Sequence, residues 1–156
     1  MADFTVKSAP RISRQLFHQA LLNRSSPATL LADELFTVCE AWKIDPACAL
    51  GFFVRESHAG TKGYAVRTLN WGNLRMGPGE YKNDGKFAWY ASWVVSLNDF
   101  CRLLSGRLYD GAGLKTVGQI TPRYAPAADN NNPPAYAAFV NQLVEVWEKM
   151  TNERPS

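Results

Sequence analysis

The sequence predicts a mainly α-helical domain of the α+β class, in which a helical lobe surrounds a buried central helix beside a small loop-rich lobe. Three observations predict this class. Apolar residues recur at helical spacing in several segments. One segment, residues 47–54, is apolar on every side, which is typical of a buried helix. Seven of the eleven glycines lie between Gly51 and Gly85, so the loops are concentrated there.

The first half of the chain predicts three helices. Residues 12–22 carry apolar side chains at helical spacing and predict the first helix. Ser26–Pro27 offers an N-cap followed by proline at the first helical position, which predicts the start of the second. Asp45–Pro46 repeats this signal before the central helix, for which Gly60 is the expected stop.

The second half predicts a loop-rich stretch and two more helices. Residues 61–86 predict loops and a short hairpin, and residues 87–106 predict a helix. Residues 122–126 are expected to be extended, because a residue before proline avoids the helical region. The loop at residues 129–134 starts the last helix. The side chains expected on its buried face are Phe139, Leu143, Val146, Trp147 and Met150.

Length and composition indicate one self-sufficient domain. A chain of 156 residues fits a single domain. We expect a flexible lead-in over residues 1–11, the domain over residues 12–150 and a tail over residues 151–156. Hydrophobic residues form 46% and charged residues 20% of the chain, so no metal or cofactor is needed to explain folding, and we expect no cofactor. The three cysteines are expected to be reduced core thiols: Cys39, Cys48 and Cys101.

The charge balance disfavours a nucleic-acid binder. Seventeen Lys and Arg residues oppose fourteen Asp and Glu residues, a formal charge of +3, and the basic residues are scattered without a recognition motif. We expect a monomer with no nucleic-acid partner and no membrane span. No secretory signal is visible, so either another route brings the protein to its substrate or the chain is a domain of a longer protein.

Glu56 is the residue that matters most for chemistry. It follows the most hydrophobic segment of the chain, where a charged carboxylate is costly and the group tends to stay protonated. A protonated carboxylic acid facing a cleft is what glycoside hydrolysis requires, since the leaving oxygen must receive a proton. The competing interpretation is that Glu56 is solvated or paired with Arg55 or Lys62.

Several short motifs follow one another along the chain. They are Ser26-Pro27-Ala28, Ile44-Asp45-Pro46, Leu50-Gly51-Phe52-Phe53, Glu56-Ser57, Asn70-Trp71-Gly72-Asn73-Leu74, Phe87-Ala88-Trp89-Tyr90-Ala91-Ser92-Trp93 and Tyr124-Ala125-Pro126-Ala127-Ala128-Asp129-Asn130. In this order they resemble the lysozyme-like glucosaminidase domains of bacterial autolysins and flagellar-type peptidoglycan glucosaminidases, and more distantly the lytic transglycosylases. The resemblance covers roughly residues 12–148.

The resemblance implies a glycosidase that cuts the glycan strands of peptidoglycan, as an endo-β-N-acetylglucosaminidase or a muramidase acting on the cell wall. It assigns the general acid to Glu56 and places Tyr124 in the saccharide cleft near that acid. It also implies that Asn73 positions the loop or the sugar, with Asn70 of the same motif as a further substrate contact. Two alternatives stay open: a lytic transglycosylase that leaves anhydro ends, and a non-catalytic saccharide-binding module.

The sequence offers more than one candidate both for the second catalytic group and for the aromatic side chain that stacks on the sugar. A hydrolase of this kind usually needs a second carboxylate, and the loop-rich lobe offers Glu80 or Asp84. If neither approaches the acid, Tyr124 or the acetamido group of the substrate could stabilise the transition state. Sugar rings stack on flat side chains, and Trp71 is the best candidate for this contact. Tyr81 and Tyr64 are weaker candidates.

Overall fold

The computed structural model describes residues 2–75 and 87–154, and it confirms the mainly α-helical class. The helices are α1 (Arg14–Asn23), α2 (Ala32–Trp42), α3 (Pro46–Ser57), α4 (Ala65–Thr68), α5 (Trp93–Ser105), α6 (Val117–Tyr124) and α7 (Pro133–Glu153). Short 3₁₀ turns cover Thr29–Leu31, Asp110–Ala112 and Ala127–Asp129. Isolated antiparallel bridges join Thr5 to Thr116 and Lys7 to Ile44. The expected hairpin lies partly outside the described residues, and residues 61–75 form loops and α4.

The central helix α3 begins as predicted. The Asp45 side chain caps it by accepting a hydrogen bond from the Ala47 amide at 2.9 Å. All residues from Pro46 to Val54 are buried, as the apolar pattern predicts. The helix ends at Ser57, before the expected stop at Gly60. The last turn of α3 contains Glu56, which is only half-buried and so lies at the edge of the core.

Helix α7 packs against α3. The two backbones approach so closely that a Cβ on Gly51 would lie 2.8 Å from Cγ1 of Val140. The start of α7 is confirmed, because the Asn132 side chain accepts from the Ala135 amide at 3.1 Å. The helix continues through Glu153, beyond the predicted domain end. Its buried residues are Tyr136, Ala137, Val140, Asn141, Val144 and Trp147, so of the five predicted only Trp147 is buried.

The segment at residues 122–126, expected to be extended, is partly helical. Helix α6 contains Pro122 in its interior and ends two residues later. A reciprocal cap starts it, in which Thr116 and Gln119 each bond the other's backbone amide. The helix also buries three residues in the core beside α7, namely Val117, Ile120 and Thr121. Capping and burial together outweigh the local preference of the residue before proline.

The second helix starts later than Ser26–Pro27 predicts. The Ser26 hydroxyl accepts a hydrogen bond from the Ala28 amide at 3.1 Å and so closes a turn rather than capping a helix. The 3₁₀ turn Thr29–Leu31 follows, and α2 begins only at Ala32. Serine serves both roles, and the sequence signal does not distinguish them.

The N-terminal segment belongs to the domain rather than forming a loose lead-in. Val6 is 1% exposed, and its amide donates to the Lys115 carbonyl at 2.9 Å. The Asp45 amide in turn donates to the Val6 carbonyl at 2.8 Å. A guanidinium nitrogen of Arg11 lies 2.7 Å from Oδ2 of Asp45, which is fully buried. These bonds fasten the segment across α3 and the start of α6.

Two further expectations bear on the chain as a whole. All three cysteines are free and buried, as predicted. Within the two described ranges, no helix has both the length and the apolar composition that crossing a membrane requires.

Candidate active site

Glu56 lies in the last turn of α3, and two side chains from other parts of the chain hold its carboxyl group. The Tyr136 hydroxyl on α7 donates to Oε2 at 2.6 Å. The Asn73 amide nitrogen donates to Oε1 at 3.1 Å and to the Glu56 carbonyl oxygen at 3.3 Å. The residue is half-buried. The carboxyl group is therefore fixed in orientation rather than free in solvent.

Burial raises the pKa of Glu56 above its ordinary value. The hydrogen bonds from Tyr136 and Asn73 and the positive charge of Arg55 act in the opposite direction, but desolvation is the larger effect on this pKa. The Arg55 guanidinium lies over the Tyr136 ring, 4.9 Å from its centroid. The carboxyl group is thus bonded to neutral donors, and it stays protonated to a higher pH than a solvated glutamate.

Asn73 reaches Glu56 because its loop is held in an unusual conformation. Its φ of +52° lies in the left-handed region, which asparagine tolerates better than most residues. Its amide must be oriented with nitrogen towards Glu56, because the backbone carbonyl oxygen of Glu56 can only accept a hydrogen bond. The Oδ1 atom of Asn73 is buried and has no hydrogen-bond partner among the described residues.

Asn70 holds this loop together from within the core. Its side-chain nitrogen donates to the carbonyls of Leu74 and Ala88 at 2.7 and 3.0 Å. Its Oδ1 accepts from the Leu74 amide at 2.8 Å. Asn70 is fully buried, and both polar atoms of its side chain form hydrogen bonds to backbone groups. The expected contact between Asn70 and substrate is therefore wrong, and the residue positions the loop that carries Asn73.

Tyr124, at the end of α6, contacts the same loop at Gly72. Its hydroxyl donates to the Gly72 carbonyl oxygen, and its ring meets the Phe52 ring edge-on at 5.2 Å. A Cβ on Gly72 would lie 2.1 Å from this hydroxyl, so only glycine allows the approach. Burial, and then the charge of Glu56, raise the pKa of Tyr124 well above its ordinary value, so the phenol is neutral.

A cleft of about 290 Å³ opens beside Glu56. Its walls come from the loop after α4, from α5, and from the segments that precede and follow α6. The lining residues are Glu56, Gly72, Asn73, Leu74, Arg75, Phe87, Leu103, Tyr109, Tyr124, Ala125, Asp129 and Asn131. The structure thus brings together three residues predicted from the sequence, Glu56, Asn73 and Tyr124, around one cleft.

Trp71 is not a surface platform. It is fully buried, and its ring stacks on Phe53 with centroids 3.9 Å apart. Its indole nitrogen donates to the Ala49 carbonyl at 2.9 Å, so the polar atom of the ring is satisfied inside the core. The expectation that Trp71 stacks on a sugar is wrong. Tyr64 is 42% exposed, and its ring contacts that of Phe87, a cleft residue, at 5.1 Å.

Three predicted residues, Glu80, Tyr81 and Asp84, lie outside the described residues. The structure adds site residues that sequence reasoning missed. Tyr136 is 80 positions from Glu56, and only the packing of α7 on α3 brings the two together. Asp129 begins an asparagine run that predicts a loop, and this pattern gave no sign that its side chain lines the cleft.

Comparisons of this chain with protein-family models, curated proteins and solved structures found no match.

Proposed function

We propose that the protein is a glycosidase that cleaves the glycan strands of peptidoglycan, with Glu56 as the general acid, on a fold of lysozyme-like arrangement. One observation carries the proposal. A carboxyl group whose pKa is raised by burial lines a cleft and is oriented by two neutral donors. Carboxyl groups whose pKa is raised and that line a cleft are candidates for acid catalysis, and glycoside cleavage needs such an acid.

The proposed chemistry begins with a proton held by Glu56. The acid gives this proton to the glycosidic oxygen as the bond from that oxygen to the sugar carbon breaks. The hydrogen bonds from Tyr136 and Asn73 then stabilise the carboxylate that forms. Tyr124 is neutral, and its hydroxyl proton is directed at Gly72, so the lone pairs of its oxygen are available to the positive charge that develops on the sugar.

The cleft lining suits a carbohydrate. Leu74, Phe87 and Leu103 provide apolar surface, while Asn73 and Asn131 provide amide groups. Sugar-binding sites combine apolar surface for ring faces with a few polar groups for hydroxyls. A volume of about 290 Å³ is close to the roughly 300 Å³ at the lower end of small-molecule sites, which is enough for a short stretch of a polymer.

The test is the clearing of a peptidoglycan suspension by the wild type, by Glu56→Gln and by Glu145→Gln. Glu145 is an exposed residue of α7, so its variant controls for the loss of one carboxylate. We expect the wild type and Glu145→Gln to clear the suspension and Glu56→Gln to lose about 100-fold or more in rate, the usual share of a general acid. Equal clearing by all three proteins would remove Glu56 from the mechanism.

The same digest reports the reaction type. Mass spectrometry of the products identifies the sugar at the new end and any anhydro product. Hydrolysis gives a reducing end, whereas an anhydro muramic end would make the protein a lytic transglycosylase. Binding to peptidoglycan without any cleavage by the wild type would make it a saccharide-binding module and refute the enzymatic proposal.

A further inference from the structure

The cleft has a second carboxylate, Asp129, besides Glu56. These are the two acidic residues among the described residues that line it. The sequence drew attention to Glu80 and Asp84 instead, which lie outside the described residues. Asp129 follows α6 in the chain, and only the folding of the chain brings it to the cleft that Glu56 lines. Its position raises the question of what a second carboxylate does in this cleft.

Asp129 stands on a short turn with little freedom. It ends the 3₁₀ turn Ala127–Asp129, in which its amide donates to the Pro126 carbonyl at 3.0 Å. Asn130 follows in the left-handed region with a φ of +61°, and its amide donates to the Ala127 carbonyl at 3.1 Å. The turn begins three residues after Tyr124, which is itself bonded to the loop beside Glu56. Both carboxylates therefore belong to one connected frame.

Arg75 faces Asp129 across the cleft. Its guanidinium lies 3.6 Å from Oδ2 of Asp129, with the two side chains 58% and 47% exposed. Ion pairs exposed to this degree contribute only about 0–1 kcal/mol to folding, so stability does not explain the pair. The pair places a positive charge, two residues after Asn73 in the chain, beside the Asp129 carboxylate.

We propose that Asp129 is the base that activates the attacking water, and that Arg75 is a positioning residue for it. This inference rests on the proposed function. The water oxygen forms a bond to the anomeric carbon while one of its protons moves to Asp129. The bond from that carbon to the leaving oxygen breaks, and the leaving oxygen takes the proton of Glu56. Asp129 then loses its proton to solvent and Glu56 regains one, which restores the starting state.

The experiment compares Asp129→Asn, Asp129→Ala and Arg75→Gln with wild type and Glu56→Gln on peptidoglycan, with and without sodium azide. Azide is already an anion and attacks without a base. We expect Asp129→Asn to lose about 100-fold in kcat, typical of a missing base. Azide should restore Asp129→Ala and yield a glycosyl azide, whereas it should not restore Glu56→Gln. Arg75→Gln, which keeps the carboxylate, should lose less than tenfold.

The outcomes separate this inference from the proposed function. If the wild type cleaves and Glu56→Gln does not, but Asp129→Asn stays within threefold of wild type, only the role of Asp129 is refuted. Equal losses in Asp129→Asn and Arg75→Gln, with no azide product, would show that the ion pair has a structural role and would also refute it. Thermal unfolding of each variant verifies that the exposed substitutions leave the fold intact.

Discussion

Replacing Tyr136 by phenylalanine tests what keeps Glu56 poised as an acid. The variant retains the ring, which packs 5.5 Å from Phe52 and beneath the Arg55 guanidinium, and removes only the hydroxyl that donates to Oε2 at 2.6 Å. That bond favours the ionised carboxylate, because it lowers the pKa of Glu56 against the larger effect of burial. Without it, the pKa of Glu56 should rise further.

The size of the effect follows from the two forms of the acid. A hydrogen bond to a charged group contributes about 1.5–3 kcal/mol, and one between neutral groups about 0.5–1.5 kcal/mol. The difference of about 1 kcal/mol corresponds to roughly a fivefold change in the ratio of ionised to protonated Glu56. The folded state should lose stability in the same sense, with the larger loss at alkaline pH, where the carboxylate is charged.

The assay is the pH dependence of kcat/KM for peptidoglycan cleavage, which reports the ionisation of the free enzyme. A general acid works only when protonated, so the alkaline limb of the profile should move to higher pH in Tyr136→Phe. Tyr90→Phe removes another buried tyrosine hydroxyl that does not hold Glu56 and should leave the limb in place. A limb that moves to lower pH, or that moves equally in both variants, would refute the reasoning.

Three further predictions concern stability as well as activity. Gly72→Ala should cost about 1–3 kcal/mol of folding free energy, because the methyl group would meet the Tyr124 hydroxyl, and it should reduce activity more than Tyr124→Phe does; urea unfolding and clearing assays measure both. Glu56→Gln should stabilise the fold by about 0.5–2 kcal/mol at pH 8 and by less at pH 4. The pKa of Glu56 is raised in the folded state, so the folded protein loses stability as pH rises through that pKa and the buried carboxyl group ionises, and glutamine removes this loss. An equal gain at both pH values would contradict this. Asp45→Ala should cost about 3 kcal/mol, since it removes the side chain that caps α3 and leaves the Arg11 guanidinium without its buried partner; a urea midpoint close to that of wild type would contradict it.

Local signals predicted most helix positions. Asp45–Pro46 and the loop before α7 place a cap and a proline where a helix must start, and both starts are confirmed. Helix α5 ends before Gly106, as predicted, but it begins at Trp93 with Ser92 as its cap, whereas the sequence predicts its start at residue 87. These signals succeed because they depend on backbone groups within a few residues of one another.

Tertiary packing decided what local signals could not. Helix α7 carries two apolar stripes, and the sequence period alone does not say which one faces α3. The stripe with Tyr136, Val140 and Val144 is buried, while Phe139 and Val146 are 40% and 47% exposed. Trp71 illustrates the same limit, because its glycine-rich surroundings predict a surface loop although its ring completes the core.

Local signals predicted one part of the candidate site, and tertiary packing determined the rest. The position of Glu56 after an apolar helix is a local property, and it could be predicted. Two other residues of the site are distant from Glu56 in sequence. The packing of α7 brings the Tyr136 hydroxyl to the Glu56 carboxyl group, and the turn after α6 brings Asp129 to the cleft. No spacing rule joins such positions, so the structure was needed to find them.

The three bonds of Asn70 have a consequence for how this protein tolerates change. They join Leu74 to Ala88, and the Ala88 amide also donates to the Leu74 carbonyl at 2.9 Å. The backbone at Leu74 and the backbone at Ala88 are therefore held together by one buried set of hydrogen bonds around Asn70. A single substitution of Asn70 would therefore loosen both segments at once, and with them the loop that brings Asn73 to Glu56.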